Sequence, residues 1–241
     1  MLRIKELRKS FAGLVAVSSL NLVVDKNEAV GLIGPNGSGK TTAINLITGV
    51  IHPDSGSIVF KENEIAGLAP HQICKKGIGR TFQLVNIFPQ MSVLENVIVG
   101  KLFGGEKLSF KEAEERAYEL IKFVELDIYI NQQAASLTYI NQKRLELARA
   151  LATKPDLLLL DEFFAGLTPS ELSEGINLVK KVKGLGVSLI IVEHIMSVIV
   201  ELCDRAVAIC AGEKICEGYP SEVLDDKEVV ASYLGDAYVK C

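Results

Sequence analysis

No C-x-x-C pair occurs among the five cysteines Cys74, Cys203, Cys210, Cys216 and Cys241, and His52, His71 and His194 are the only histidines. That pattern gives a zinc site no spacing in its favour, and the thiols read as reduced residues of a cytosolic chain. An excess of positive charge is also missing: 26 Lys and Arg against 30 Asp and Glu leave a formal charge of -4. Without a basic field, nucleic acid is not an expected partner. Long apolar runs are lacking too. A bilayer span needs roughly 18 unbroken apolar residues, and the best candidate, Val187 to Cys203, carries Glu193, His194 and Glu201. The opening MLRIKELRKSF alternates charged with apolar residues and has no signal-peptide core. Internal repeats and low-complexity tracts are not found. What the chain does have is 241 residues, 49% of them hydrophobic, enough for one large domain or two lobes with apolar surface left for a partner.

The pattern along the chain predicts an α/β protein. Strands are expected over Leu2 to Leu7, Val15 to Val24, Glu28 to Ile33 and Ser57 to Phe60, with a helix over Thr41 to Thr48 that closes at Gly49. Ser92 with Glu95 and Ser109 with Glu112 have capping-box spacing, and Ala113, Ala117, Leu120, Ile121 and Val124 mark the buried stripe of the second of these helices. A further helix begins near Gln142, where Leu145, Ala148 and Ala152 recur at helical spacing with Leu147 and Leu151. Gln142, Glu146 and Arg149 are expected on its wet face. Apolar strands return at Leu157 to Leu160, Val187 to Val192 and Arg205 to Cys210. Buried strands alternating with helices imply a parallel sheet covered on both faces. The expected organisation is a single domain over 1–241, with an α/β core from 1–83 and 154–241 and a helical insertion over 84–153.

The stretch GPNGSGKTT, comprising Gly34, Pro35, Asn36, Gly37, Ser38, Gly39, Lys40, Thr41 and Thr42, has the form G-x-x-x-x-G-K-[ST] between a strand and a helix. Glycines let main-chain N–H groups curl around phosphate oxygens, and the following helix N-terminus favours the same charge. Lys40 is placed for the β and γ phosphates and the Thr41 hydroxyl for Mg²⁺. Such a site needs a carboxylate at the end of a neighbouring strand, which LLLLDE supplies. Asp161 is the candidate on the metal side, and Glu162 the candidate base for an attacking water. The alternative is that this pair merely caps the next helix. His194 follows another core strand, where functional residues of such sheets gather. The reading favoured for it is a γ-phosphate sensor, with a buried histidine of no functional role as the alternative.

With these residues and Gln83 in this order, the chain resembles an ATP-binding-cassette (ABC) ATPase along nearly all its length. GIGRTFQ, Gly77 to Gln83, is similar to the segment leading to the family's Q-loop glutamine. FPQMSVLENVIVGK, Phe88 to Lys101, is similar to the branched-chain amino acid importer branch, as are Pro70 to Gln83 and the ending Ser232 to Asp236. The resemblance implies a P-loop NTPase fold: a RecA-like core, an antiparallel β lobe and an inserted α-helical subdomain. It implies ATP and Mg²⁺ as cofactors, with Gln83 a contact of the metal. It also implies transmembrane permease subunits as partners, a second cassette that pairs head to tail, and a place on the cytoplasmic face of the membrane. Phe11 stands where relatives stack an aromatic on adenine, though it reads equally well as a core residue.

SLTYINQKRLELARAL, Ser136 to Leu151, occupies the place of the family signature, usually L-S-G-G-Q, which closes over the ATP of the other cassette. Thr138 keeps a hydroxyl, but Ile140 replaces the second glycine and Asn141 the glutamine. Ile140 is therefore expected at a phosphate-facing helix tip, crowding the partner's nucleotide, which favours a heterodimer of unequal sites. Phe163 in place of proline and Thr168 in place of an acidic or amide residue are further departures. The reading favoured is an energising subunit of a transporter importing branched-chain amino acids or a related solute. A soluble P-loop phosphotransferase and an ATP-sensing interaction subunit are the alternatives.

Overall fold

The computed structural model describes residues 1–106 and 108–234. Two strands, β1 (Leu2–Phe11) and β2 (Leu14–Val24), form an antiparallel hairpin. It is followed by β3 (Ala29–Ile33), α1 (Lys40–Ile47), β4 (Ser55–Phe60), β5 (Asn63–Glu64), α2 (Pro70–Lys75) and β6 (Ile78–Arg80). Three helices come next, α3 (Val93–Phe103), α4 (Phe110–Phe123) and α5 (Tyr139–Ala152). The remainder alternates: β7 (Leu157–Asp161), α6 (Pro169–Gly184), β8 (Ser188–Val192), α7 (Met196–Leu202), β9 (Arg205–Cys210), β10 (Glu213–Gly218), α8 (Pro220–Asp225) and α9 (Lys227–Leu234).

These strands make two sheets. One is antiparallel with order β2-β1-β4-β5; the other has order β10-β9-β3-β8-β7-β6, parallel from β9 to β6 with β10 antiparallel at its edge. Both faces of the parallel sheet are buried, as its uninterrupted apolar strands require. Val30, Leu32, Leu157, Leu159, Ile190, Val192, Val207 and Ile209 join a core shared with the antiparallel sheet and α1. Their alternates Leu158, Leu160, Leu189, Ile191, Ala206 and Ala208 join a second core with α6, α7 and the helices of the insertion. The insertion is thus packed onto one sheet face through continuous apolar contact.

Both expected capping boxes form: the hydroxyls of Ser92 and Ser109 accept from the amides of Glu95 and Glu112. Thr168 and Glu171 form another at the start of α6, so threonine serves there as a helix cap. Asp161 and Glu162 consequently do not cap that helix. The wet face expected of α5 needs correction. Glu146 is only 3% exposed, because one carboxylate oxygen accepts from the amides of Phe82 and Asn86 on the neighbouring loop. Arg149 reaches the same loop through the Asn86 carbonyl, and Gln142 turns back to the Leu137 carbonyl. Ile140 is likewise buried in the first turn of α5, while Tyr139 is the exposed residue there. Its branch therefore points into the protein, not out from the tip as expected.

Candidate nucleotide site

The loop between β3 and α1 is built on left-handed backbone. Gly34 has φ 148° and Gly39 φ 106°. A Cβ at Gly34 would stand 2.0 Å from the Ile209 carbonyl oxygen, and one at Gly39 2.5 Å from that of Ala16, so side chains are sterically barred from both positions. The result is a cradle of main-chain N–H groups opening at the N-terminus of α1, which suits a phosphate. The Lys40 ammonium lies across it, donating to the carbonyls of Gly34 at 2.7 Å and Pro35 at 2.8 Å. Burial lowers its pKa, opposed by the negative charges of Glu162 and Asp161. Thr41 is exposed at the helix start and Thr42 half-buried; Asn36 and Gly37 are exposed and Ser38 is buried.

Asp161 ends β7, 2% exposed, where Arg80 from the end of β6 donates to its Oδ2 at 2.7 Å. Arg80 also reaches Asn45 Oδ1 at 2.7 Å on α1, tying the carboxylate to the phosphate-loop helix. Sequence reasoning passed over Arg80, although it lies in the quoted GIGRTFQ; its partner is chosen by strand neighbourhood, not by spacing. Glu162 follows with φ 48° and its amide donates to the Val192 carbonyl at 2.9 Å. Its carboxylate gathers the other expected residues: Gln83 Nε2 donates to Oε2 at 2.8 Å, and His194 Nε2 lies 3.1 Å from Oε1. Gln83, Glu162 and His194, far apart in sequence, thus form one constellation on three adjoining strand ends.

Three more residues at the site were not anticipated. Tyr233 on α9 accepts the Gly34 amide at 2.7 Å, bracing the loop from behind. Gly235 and Asp236 of the ending quoted above lie outside the described residues. Glu193, 1% exposed, accepts from the Phe164 amide, and burial pushes its carboxyl up to about 7. Lys143, fully buried, donates to the Gln83 carbonyl at 3.0 Å and faces the rings of Tyr139 and Phe163 at 5.6 and 5.9 Å. Phe163, the departure from proline, is itself buried edge-on against Phe164.

Phe11 is exposed at the end of β1, beside Lys9, and belongs to no core. Thr138 is exposed just ahead of α5. The oxygen donors suit Mg²⁺: the Thr41 hydroxyl, the Gln83 amide and the Asp161 carboxylate, of which Arg80 takes one oxygen. No group of three or more His, Cys, Asp or Glu that could hold a metal ion is found among the described residues.

A family model described as ABC transporter matches residues 17–165, which contain the phosphate loop, the Gln83 loop and the Asp161-Glu162 pair. The chain belongs to the ABC transporter ATPase family. It is 37% identical to the high-affinity branched-chain amino acid transport ATP-binding protein BraF of Pseudomonas aeruginosa and 36% identical to LivG of Escherichia coli, with 98% of each chain covered. It is also 33% identical, over 97% of each chain, to the lipopolysaccharide export system ATP-binding protein LptB of Escherichia coli. Among solved structures, an ATP-binding cassette of an ABC transporter in its ADP conformation superposes with a TM-score of 0.90 at 31% identity, covering 98% of this chain and 99% of that one. A dimeric cassette in a post-hydrolysis state with ADP and Pi gives 0.82 at 28%, covering 91% and 99%. The protein is accordingly an ATP-binding, ATP-hydrolysing subunit of a transporter with the P-loop NTPase fold. Subunits of this kind dimerise and work with transmembrane permeases. No described helix is long and apolar enough to cross a membrane.

Proposed function

We propose that this ABC ATPase energises uptake of branched-chain amino acids or a related small solute, seated peripherally on the cytoplasmic face of the membrane against its permease. The uptake reading is supported by near full-length similarity to BraF and LivG. In this reading Gly34 to Thr42 and Lys40 hold the phosphates of ATP, and Thr41, Asp161 and Gln83 hold Mg²⁺. Bound Mg²⁺ would neutralise phosphate charge and orient the γ-phosphoryl group.

The observation that carries the hydrolytic part is the convergence of Gln83 and His194 on the two oxygens of Glu162. Glu162 accepts a proton from the attacking water, His194 orients it and senses the γ-phosphate, and Gln83 ties the same carboxylate to the loop facing the permease. Glu162→Gln should leave ATP binding intact and slow steady-state hydrolysis at least about a hundredfold. Unchanged turnover in an assay with the partner cassette present would remove Glu162 from the role of base.

Phe11 is proposed to stack on adenine. Thr138 and the backbone around Ile140 are proposed to meet the nucleotide of the facing cassette. Asn141 and the loss of a glycine set this tip apart from the usual signature, which favours a different cassette as partner.

A further inference from the structure

Residues 81 to 91 run between β6 and α3 without helix or strand, so their main-chain groups must find partners elsewhere. Three charged side chains of α5 supply partners for Phe82, Gln83 and Asn86. Lys143 donates to the Gln83 carbonyl at 3.0 Å. One oxygen of Glu146 accepts from the Phe82 and Asn86 amides at 3.2 and 3.1 Å. Arg149 donates to the Asn86 carbonyl. Spaced three apart, these residues advance along the helix about 4.5 Å at a time, so the loop lies obliquely across α5 and is held at several points. Beyond them Asn96 of α3, fully buried, exchanges two hydrogen bonds with the main chain of Phe88.

Burial of these charges makes the arrangement demanding. Lys143 is fully enclosed, and the other oxygen of Glu146 has no hydrogen-bond partner. A buried charge is retained against desolvation only when its geometry is fixed, so the loop is not free to slide on α5 without leaving these groups unpaired. The helix that grips the Gln83 main chain is the one whose first turn carries Tyr139 and Ile140. The Gln83 side chain, in turn, reaches Glu162.

We propose that Lys143, Glu146 and Arg149 are positioning residues that lock the Gln83 loop to α5, so that the register of Gln83 on Glu162 follows the position of that helix. The inference rests on the reading of Gln83 and Glu162 as hydrolytic groups. None of the three touches the phosphate loop, so losing the lock lowers kcat and spares the KM for ATP.

The chain contains no tryptophan, and Leu84 is 83% exposed beside Gln83, so Leu84→Trp provides a single reporter within the loop. In that background Lys143→Met and Glu146→Met, which remove the donor and the acceptor respectively, should each lower the tryptophan anisotropy, and Lys143→Arg should restore it. Reporter and melting temperature are read on the same samples. In the assembled ATPase without the reporter, Lys143→Met should reduce kcat about tenfold or more with KM for ATP changed less than about twofold. Combined with Gln83→Ala, it should add little to the loss caused by Gln83→Ala alone. Unchanged anisotropy in both variants overturns the lock, as does full additivity of the two kinetic losses. A wild-type assembly that hydrolyses no ATP counts against the hydrolytic reading instead, and the anisotropy still decides whether the lock exists.

Discussion

Lys40 couples charge to loop geometry, since its ammonium is buried across the carbonyls of its own loop. Lys40→Ala removes both the cation and the brace, and tight ATP binding should vanish in calorimetry; wild-type affinity would sink the phosphate-site assignment. Glu193 gives a pH signature. Burial raises its carboxyl from an ordinary 4.5 to about 7, helped by the Glu162 charge and opposed by the Phe164 and His194 amides and Lys143. The folded state therefore binds more protons than the unfolded chain between these values, and stability falls as pH rises from about 4.5 through about 7, by roughly 3 kcal/mol. Glu193→Gln should flatten that slope in urea titrations at pH 5 and pH 8; an unaltered difference between the two would show that Glu193 is not its source.

At the scale of elements, α5 shows what a sequence pattern conveys and what it withholds. Its apolar spacing located the helix, but the same spacing put Glu146 and Arg149 in water. Periodicity assigns faces by polarity and carries no information about a loop that covers a polar stripe with its own main chain. Arg80 stayed hidden for a related reason: its carboxylate lies 81 residues away, on the adjacent strand. The phosphate loop could be proposed from the sequence because every group it needs is local, Glu162 and His194 because each follows a recognisable apolar strand, and Gln83 only through the family resemblance. Ile140 could not be read correctly, since a helix boundary one or two residues off rotates it from the exposed tip to the buried face. Ile140→Gly should consequently lower the melting temperature, with a loss of about 2–4 kcal/mol from the emptied space and the more flexible helix start. A melting temperature equal to wild type would return the side chain to the surface.

For the whole molecule, the insertion and the core enclose a 380 Å³ groove whose walls include Arg80, Phe82, Asn86, Phe103, Glu146 and Arg149. Phe88, 42% exposed, stacks under the Arg149 guanidinium at 4.4 Å, and Met91 is half-buried nearby in sequence. This surface is where the permease is proposed to dock. A charge at Phe88 or Met91 should weaken copurification with the permease, and undiminished recovery would place the contact elsewhere. The arrangement of the parallel sheet has one further consequence, in time. The strand that launches the phosphate loop, ending at Ile33, lies between β8 and β9, which begin only at Ser188 and Arg205 and so are translated long after it. At about 5–20 residues per second, a ribosome needs on the order of ten seconds or more to make its neighbours. Through that interval the nascent chain carries its most recognisable motif without the two strands that hold it in shape, so nucleotide cannot serve as an early template for folding and can reward only a chain that is almost finished.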